Sequence, residues 1–191
     1  MRRVIIVRHG NTFDPGDVIR RVGRGTDLPL SSSGRTQAAA LGHHFAETDF
    51  DCVISSPLRR TRETAQAMAD DIRFDDRLLE IDYGPDEGRP ENEVVARLGQ
   101  DAIDLWDADA VPPPGWLVDP AAIRADWASL LSESVGTTLI VTSNGIARFA
   151  LDVVRHDGAA RKLKTGAFGV IEERADGWQV TDWNVRPPAI A

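Results

Sequence analysis

Two places in this 191-residue chain combine residue types that suit an anionic ligand. In the first, Arg8-His9-Gly10-Asn11-Thr12 follows the β-branched run Val4-Ile5-Ile6-Val7, and open parallel sheets bind ligands at the carboxyl ends of their strands. An Arg-His pair alone is usually a surface feature, so the reading depends on what converges with it. In the second, Ser55-Ser56-Pro57-Leu58-Arg59-Arg60-Thr61-Arg62-Glu63-Thr64-Ala65 sets several arginines at a helix N-terminus, where orphan N–H groups and the helix dipole already favour negative charge. A solvated face paired with Glu63 fits Arg59 and Arg62 equally well.

The elements that must position these groups follow from pattern. Val4–Val7 reads as a buried, central, parallel strand, and Ser31-Ser32-Ser33 with Gln37, Leu41 and Phe45 as a capped amphipathic helix. Asp51–Ile54 is a second strand, and Pro57 occupies the first turn of a helix reaching about Ala69. Residues 80–84 read as loop. Helical spacing covers 91–106 and 120–133, separated by an irregular Pro112-Pro113-Pro114-Gly115. Thr138–Thr142 is a third buried strand leading into a helix near 146–155, and 167–172 with 178–183 form a hairpin around Asp176-Gly177. The alternation implies an α/β/α three-layer sandwich, mostly parallel with an antiparallel edge element, as a single domain over 1–191.

Taken in order, Arg8-His9-Gly10-Asn11-Thr12, Asp27-Leu28-Pro29-Leu30 with Gly34, Ser55 to Ala65, and Leu78-Leu79-Glu80-Ile81-Asp82-Tyr83-Gly84 resemble the histidine phosphatase superfamily, a phosphoglycerate mutase-like family. The resemblance runs from residue 4 to about 90 and resumes at 138–148. It implies that His9 is a nucleophile forming a phosphohistidine, that Arg8 and Arg60 bind the transferring phosphoryl group, and that Glu80 is the general acid. The chemistry is coherent. Planar guanidinium forks suit a phosphate dianion. A neutral imidazole is nucleophilic when its other nitrogen donates, here to a loop carbonyl. Glu80 must have its pKa raised by burial against the pull of the arginines. Asn11 and Thr12 either contact phosphate or stabilise the turn, and Arg24 either adds a guanidinium or sits on the rim.

The chain departs from the family pattern at Val141-Thr142-Ser143-Asn144-Gly145, where a His-Gly turn is usual, so Asn144 takes the second histidine's place. Asparagine keeps a donor but no charge. Loss of one transition-state donor costs roughly 2.7–4 kcal/mol, and a neutral substitute less, which implies slowed or retuned activity. His43, His44 and His156 read as surface or packing residues. So do Trp106, Trp127, Trp178 and Trp183, while Trp116 either walls the pocket or anchors its loop.

The function implied is a metal-independent phosphatase acting on a small phosphate monoester, without a cofactor. A binding or regulatory module is the second class, and a phosphomutase, which needs a further phosphate site, the third. The acids Asp70-Asp71 and Asp75-Asp76 lack metal-ligand spacing. A net charge of −8 disfavours nucleic acid and anionic membrane as partners. The chain is long enough to bury roughly 70% of its unfolded surface unaided. The single Cys52 and the lack of a signal-like or membrane-spanning apolar run point to a soluble, cytoplasmic protein. A monomer and a homodimer fit equally.

Overall fold

The computed structural model describes residues 1–156, 158 and 161–188; the remainder of the expected 1–191 domain lies outside the described residues. Six strands form one sheet: β1 (Arg3–Arg8), β2 (Cys52–Ser55), β3 (Arg73–Phe74), β4 (Thr137–Thr142), β5 (Phe168–Arg174) and β6 (Gly177–Val185), in the order β3-β2-β4-β1-β5-β6. β1 to β4 run parallel, whereas β5 is antiparallel to both β1 and β6. The parallel sheet with an antiparallel edge is thus the one expected.

Alternation along the central strands explains why both faces are covered. Val4, Ile6, Ile54 and Ile140 point into one cluster with Trp106, Trp127 and Phe149. Ile5, Val7, Val53, Leu139 and Val141 point into another with Leu41, Phe45 and Ala65. Helices α1 (Ser32–His44) and α2 (Arg59–Gln66) supply the second cluster. The first is built by α3 (Glu91–Leu98), α4 (Gln100–Asp109), α5 (Pro120–Glu133), α6 (Asn144–Ala147) and α7 (Phe149–Val153). Among the described residues no helix is long and apolar enough to cross a membrane.

Several elements differ from expectation. The helix expected over 91–106 breaks at Gly99, whose φ of 83° takes the backbone out of the helical region. The helix after β4 starts earlier, at Asn144, and is interrupted at Arg148. Pro57 precedes its helix, because Leu58 stays extended (ψ 142°) and Arg59 is the first helical residue. β3 has only two residues, both exposed, too few to generate a period-2 signal.

Candidate active site

Strand order brings the distant motifs together. β1 and β4 are neighbours in register, Arg8 opposite Thr142, and the His9 N–H donates to Thr142 O at 3.1 Å. The residues leaving the two strands, His9 and Asn144, therefore emerge side by side. β2 flanks β4, which places α2 alongside. Gly10 N–H donates to Thr64 Oγ1 (3.1 Å), whose hydroxyl in turn donates to Arg60 O (2.8 Å), so the histidine loop is fastened to α2. The loop also needs its glycines. A Cβ on Gly10 would meet Gly34 O at 2.4 Å, and one on Gly34 would meet Asn11 O at 2.0 Å, a close approach of loop and α1 N-terminus that only glycine permits.

His9 is buried, and its Nδ1 lies 2.7 Å from Gly10 O. A carbonyl only accepts, so Nδ1 carries the proton and Nε2 keeps its lone pair. Burial, then the Arg60 and Arg8 charges, hold the imidazole well below its usual 6.5. Arg8 Nη1 donates to Leu163 O at 2.9 Å. Arg60 is fully buried and donates to Thr26 O (2.8 Å) and Gly23 O (3.1 Å). Neither arginine forms an ion pair with a described residue, and the Nε of each is buried without a hydrogen-bond partner.

Glu80 is buried beside them. Its carboxylate accepts from Ile81 N (2.9 Å) and Gly145 N (3.3 Å). Those bonds and both arginines favour the ionised form, but burial outweighs them and the pKa is raised above 4.5. A Cβ on Gly145 would meet Glu80 Oε1 at 2.1 Å, so glycine makes room for the carboxyl.

Arg8, His9, Glu80, Asn144, Asn11 and Thr12 all line one cleft of about 520 Å³. Arg60 stands behind this wall, close enough for its charge to act on both His9 and Glu80. Arg24 is exposed and outside the cleft. The Asn11 side chain donates to Ser33 Oγ (3.0 Å) and accepts from the Thr165 hydroxyl, and its N–H goes to Gln37 Oε1 (2.8 Å). Its polar atoms are thus engaged in holding the turn, and Thr12 is the freer of the pair. Asn144 Oδ1 accepts from Leu163 N at 2.8 Å, leaving Nδ2 without a partner among the described residues. The Leu163 peptide therefore links two site residues, its N–H to Asn144 and its carbonyl to Arg8.

Sequence reasoning missed this 162–165 strap, and it missed Arg21, Glu91, Asp107 and Lys162 at the cleft mouth. The strap has no regular structure, so no periodicity marks it. The doublet Arg20-Arg21 was visible, but only the fold shows Arg21 lying over the Tyr83 and Trp116 rings, 5.3 and 5.1 Å from their centroids. Trp116 itself anchors its loop, donating to Asp86 (2.8 Å) and packing edge-on against Tyr83 and Trp106. Trp106 belongs to the core, yet its edge reaches the cleft. Among the described residues no group of three or more His, Cys, Asp or Glu side chains gathers as a metal site.

Comparison with known proteins places the chain among relatives. A profile described as "Histidine phosphatase superfamily (branch 1)" matches residues 4–186. The uncharacterised phosphatase PhoE of Bacillus subtilis is 32% identical over 195 residues, covering 97% of this chain and 95% of its own. The bovine fructose-2,6-bisphosphatase TIGAR is 36% identical over 119 residues, or 58% of this chain and 42% of the relative; this chain spans less than half of the mouse, bovine and frog proteins of that name. Among solved structures, a mycobacterial glucosyl-3-phosphoglycerate phosphatase superposes with a TM-score of 0.81 at 22% identity, covering 97% of this chain and 100% of the other. That likeness concerns the fold.

Proposed function

The chain belongs to the histidine phosphatase superfamily, and from that premise we propose that it is a metal-independent phosphomonoesterase working through a phosphohistidine at His9, on a small phosphorylated substrate and without a cofactor. The reading is carried by one observation. A neutral imidazole with a free Nε2 stands beside the guanidinium groups of half-buried Arg8 and buried Arg60 and a carboxyl whose pKa burial raises.

Each group has a task in this scheme. His9 Nε2 attacks phosphorus and the P–O bond to the leaving alcohol breaks, Glu80 passing its proton to the departing oxygen. Arg8 and Arg60 offset the charge on the nonbridging oxygens, where phosphoryl transfer draws most of its catalysis. Glu80, now a carboxylate, takes a proton from water as the water oxygen attacks the phosphohistidine. The P–N bond breaks, phosphate leaves, and His9 and Glu80 return to their starting states.

Asn144 stands, in this proposal, where the superfamily carries its second histidine. Its Nδ2 supplies a neutral donor to the phosphoryl group while Oδ1 remains with Leu163 N. A histidine there could accept the Leu163 N–H only as the neutral ring, so Asn144→His exchanges that anchor for charge. The compartment proposed is the cytoplasm, which suits a lone unpaired Cys52.

The test is hydrolysis of p-nitrophenyl phosphate by the intact chain, His9→Ala and Asn144→His. His9→Ala is expected to abolish turnover, and Asn144→His to shift the pH profile. Full activity in His9→Ala would remove the nucleophile assignment. Phosphate binding without turnover across a broad panel of esters would make the chain a binding module.

A further inference from the structure

Resting on that reading of His9, we infer that the leaving group of the substrate carries no second anion: the outer cleft takes a neutral alcohol with a substantial apolar or aromatic part. Beyond the groups around His9, the cleft wall offers three cations, Arg20, Arg21 and Lys162. All three are engaged. Arg21 is ion-paired with Glu91 and held flat by the rings of Tyr83 and Trp116. Lys162 Nζ lies 3.4 Å from Asp107 Oδ2, and Arg20 Nη1 donates to Gly88 O at 3.0 Å.

Four carboxylates, Asp14, Asp17, Glu91 and Asp107, line the same wall. Asp14 accepts from Ser32 N and Ser33 N, and Asp17 from Asp14 N, so the two are fixed in place. Hydrogen bonds from Ser33 and Ser31 hold the Asp14 carboxyl far below the usual carboxylate range, which keeps it ionised at any working pH. The mouth is therefore balanced slightly negative, while the inner end is positive. An ester with one phosphate is drawn inward. A second carboxylate or phosphate would face those acids, and would have to break an ion pair to reach Arg21 or Lys162 or draw Arg20 from the Gly88 carbonyl.

Part of the lining is apolar. Phe13, Val22, Ile103 and the edge of Trp106 face the cleft, and Ile19 at the lip is 61% exposed. Apolar walls with few convergent polar groups are the usual make-up of a small-molecule site. An aryl or branched alkyl group placed against them buries surface without displacing any ion pair.

The experiment compares 4-methylphenyl phosphate with 4-carboxyphenyl phosphate, esters of similar size and reactivity that differ by one negative charge. The expected kcat/KM is at least about tenfold higher for the methyl ester. Glu91→Gln, which releases Arg21 from its partner, should narrow the ratio about three- to fivefold, the range of a partly exposed charge pair. Equal rates, or a preference for the carboxylate, overturn the inference while leaving the phosphatase reading intact. A ratio unchanged in Glu91→Gln overturns charge pairing as its origin. If neither ester is hydrolysed, the phosphatase reading falls, and calorimetric binding of the two esters decides this one: tighter binding of the methyl ester sustains it, and equal or weaker binding overturns it.

Discussion

Replacing Gly145 with alanine asks whether Glu80 works as an acid from the position it occupies. Gly145 lies within α6 and is not among the glycines of positive φ, so the backbone accepts alanine and a helix gains ~0.5–1 kcal/mol from it. The obstacle is the carboxyl. The new Cβ would meet Glu80 Oε1 at 2.1 Å, and since ordinary contact begins near 3.4 Å the carboxyl must withdraw by about 1.3 Å, weakening the 3.3 Å bond from Gly145 N as it goes. Misplacing a reacting group by ~1 Å costs ~10²-fold, and a general acid contributes ~10²–10⁴-fold. The loss should depend on the leaving group. Nitrophenolate departs without a proton, whereas phenolate needs one. In Gly145→Ala, kcat/KM for phenyl phosphate is expected to fall about 100-fold and that for p-nitrophenyl phosphate only a fewfold, with a melting temperature showing the fold intact. Equal losses on both esters, or none on either, would refute Glu80 as the proton donor.

Further outcomes follow from the same geometry. The reaction needs neutral His9 and protonated Glu80. Because His9 is shifted down and Glu80 up, the acid limb of kcat/KM against pH should fall below 6.5 and the alkaline limb above 4.5; an acid limb above 6.5 would contradict the neutral imidazole. Arg148, almost fully buried, donates to Trp106 O (2.6 Å) and Asp107 O (2.7 Å) and so fixes one cleft wall to the turn after Asn144. Arg148→Met leaves the Asp107 carbonyl unpaired, at ~1–3 kcal/mol, and Trp106 O with the Ala110 N–H alone, so thermal denaturation should show a lower melting temperature and steady-state kinetics a raised KM.

Much of the fold was legible because its signals are local. The runs Val4–Val7 and Thr138–Thr142 are buried on both faces and read as strands without further context, and Asp176-Gly177 marked the last hairpin. The break at Gly99 was not legible, since helical spacing continues on both sides of it and one isolated glycine is often tolerated in a helix. At the site, residues attached to strand ends could be named from the sequence, and the fold places His9, Arg8, Glu80 and Asn144 in one cleft. What sequence does not carry is the use of the backbone. The Leu163 peptide that links Arg8 to Asn144 has no side-chain signature, and the ion pairs at the mouth join residues such as Arg21 and Glu91 that lie 70 positions apart.

A chain of net charge −8 nevertheless holds Arg8 and Arg60 against its core, and their surroundings explain what that arrangement is for. Their acceptors are carbonyls of Leu163, Thr26 and Gly23, which satisfy hydrogen bonds without neutralising charge. Burial shifts the nearby carboxyl, Glu80, towards its neutral form. Burial is the first cause lowering the pKa of both arginines, and for Arg8 the Arg60 charge adds to it, so the pair carries a repulsion that an entering dianion relieves. Inorganic phosphate at 100 times its dissociation constant should stabilise the protein by about 2.7 kcal/mol. For a chain of this length that is a rise of roughly 5–11 °C in melting temperature, beyond any change produced by sodium chloride of equal ionic strength. In Arg60→Met the same phosphate concentration should give less than half that rise, whatever the variant's starting stability. An undiminished rise would mean that phosphate binds elsewhere and that Arg60 is buried for structural reasons alone.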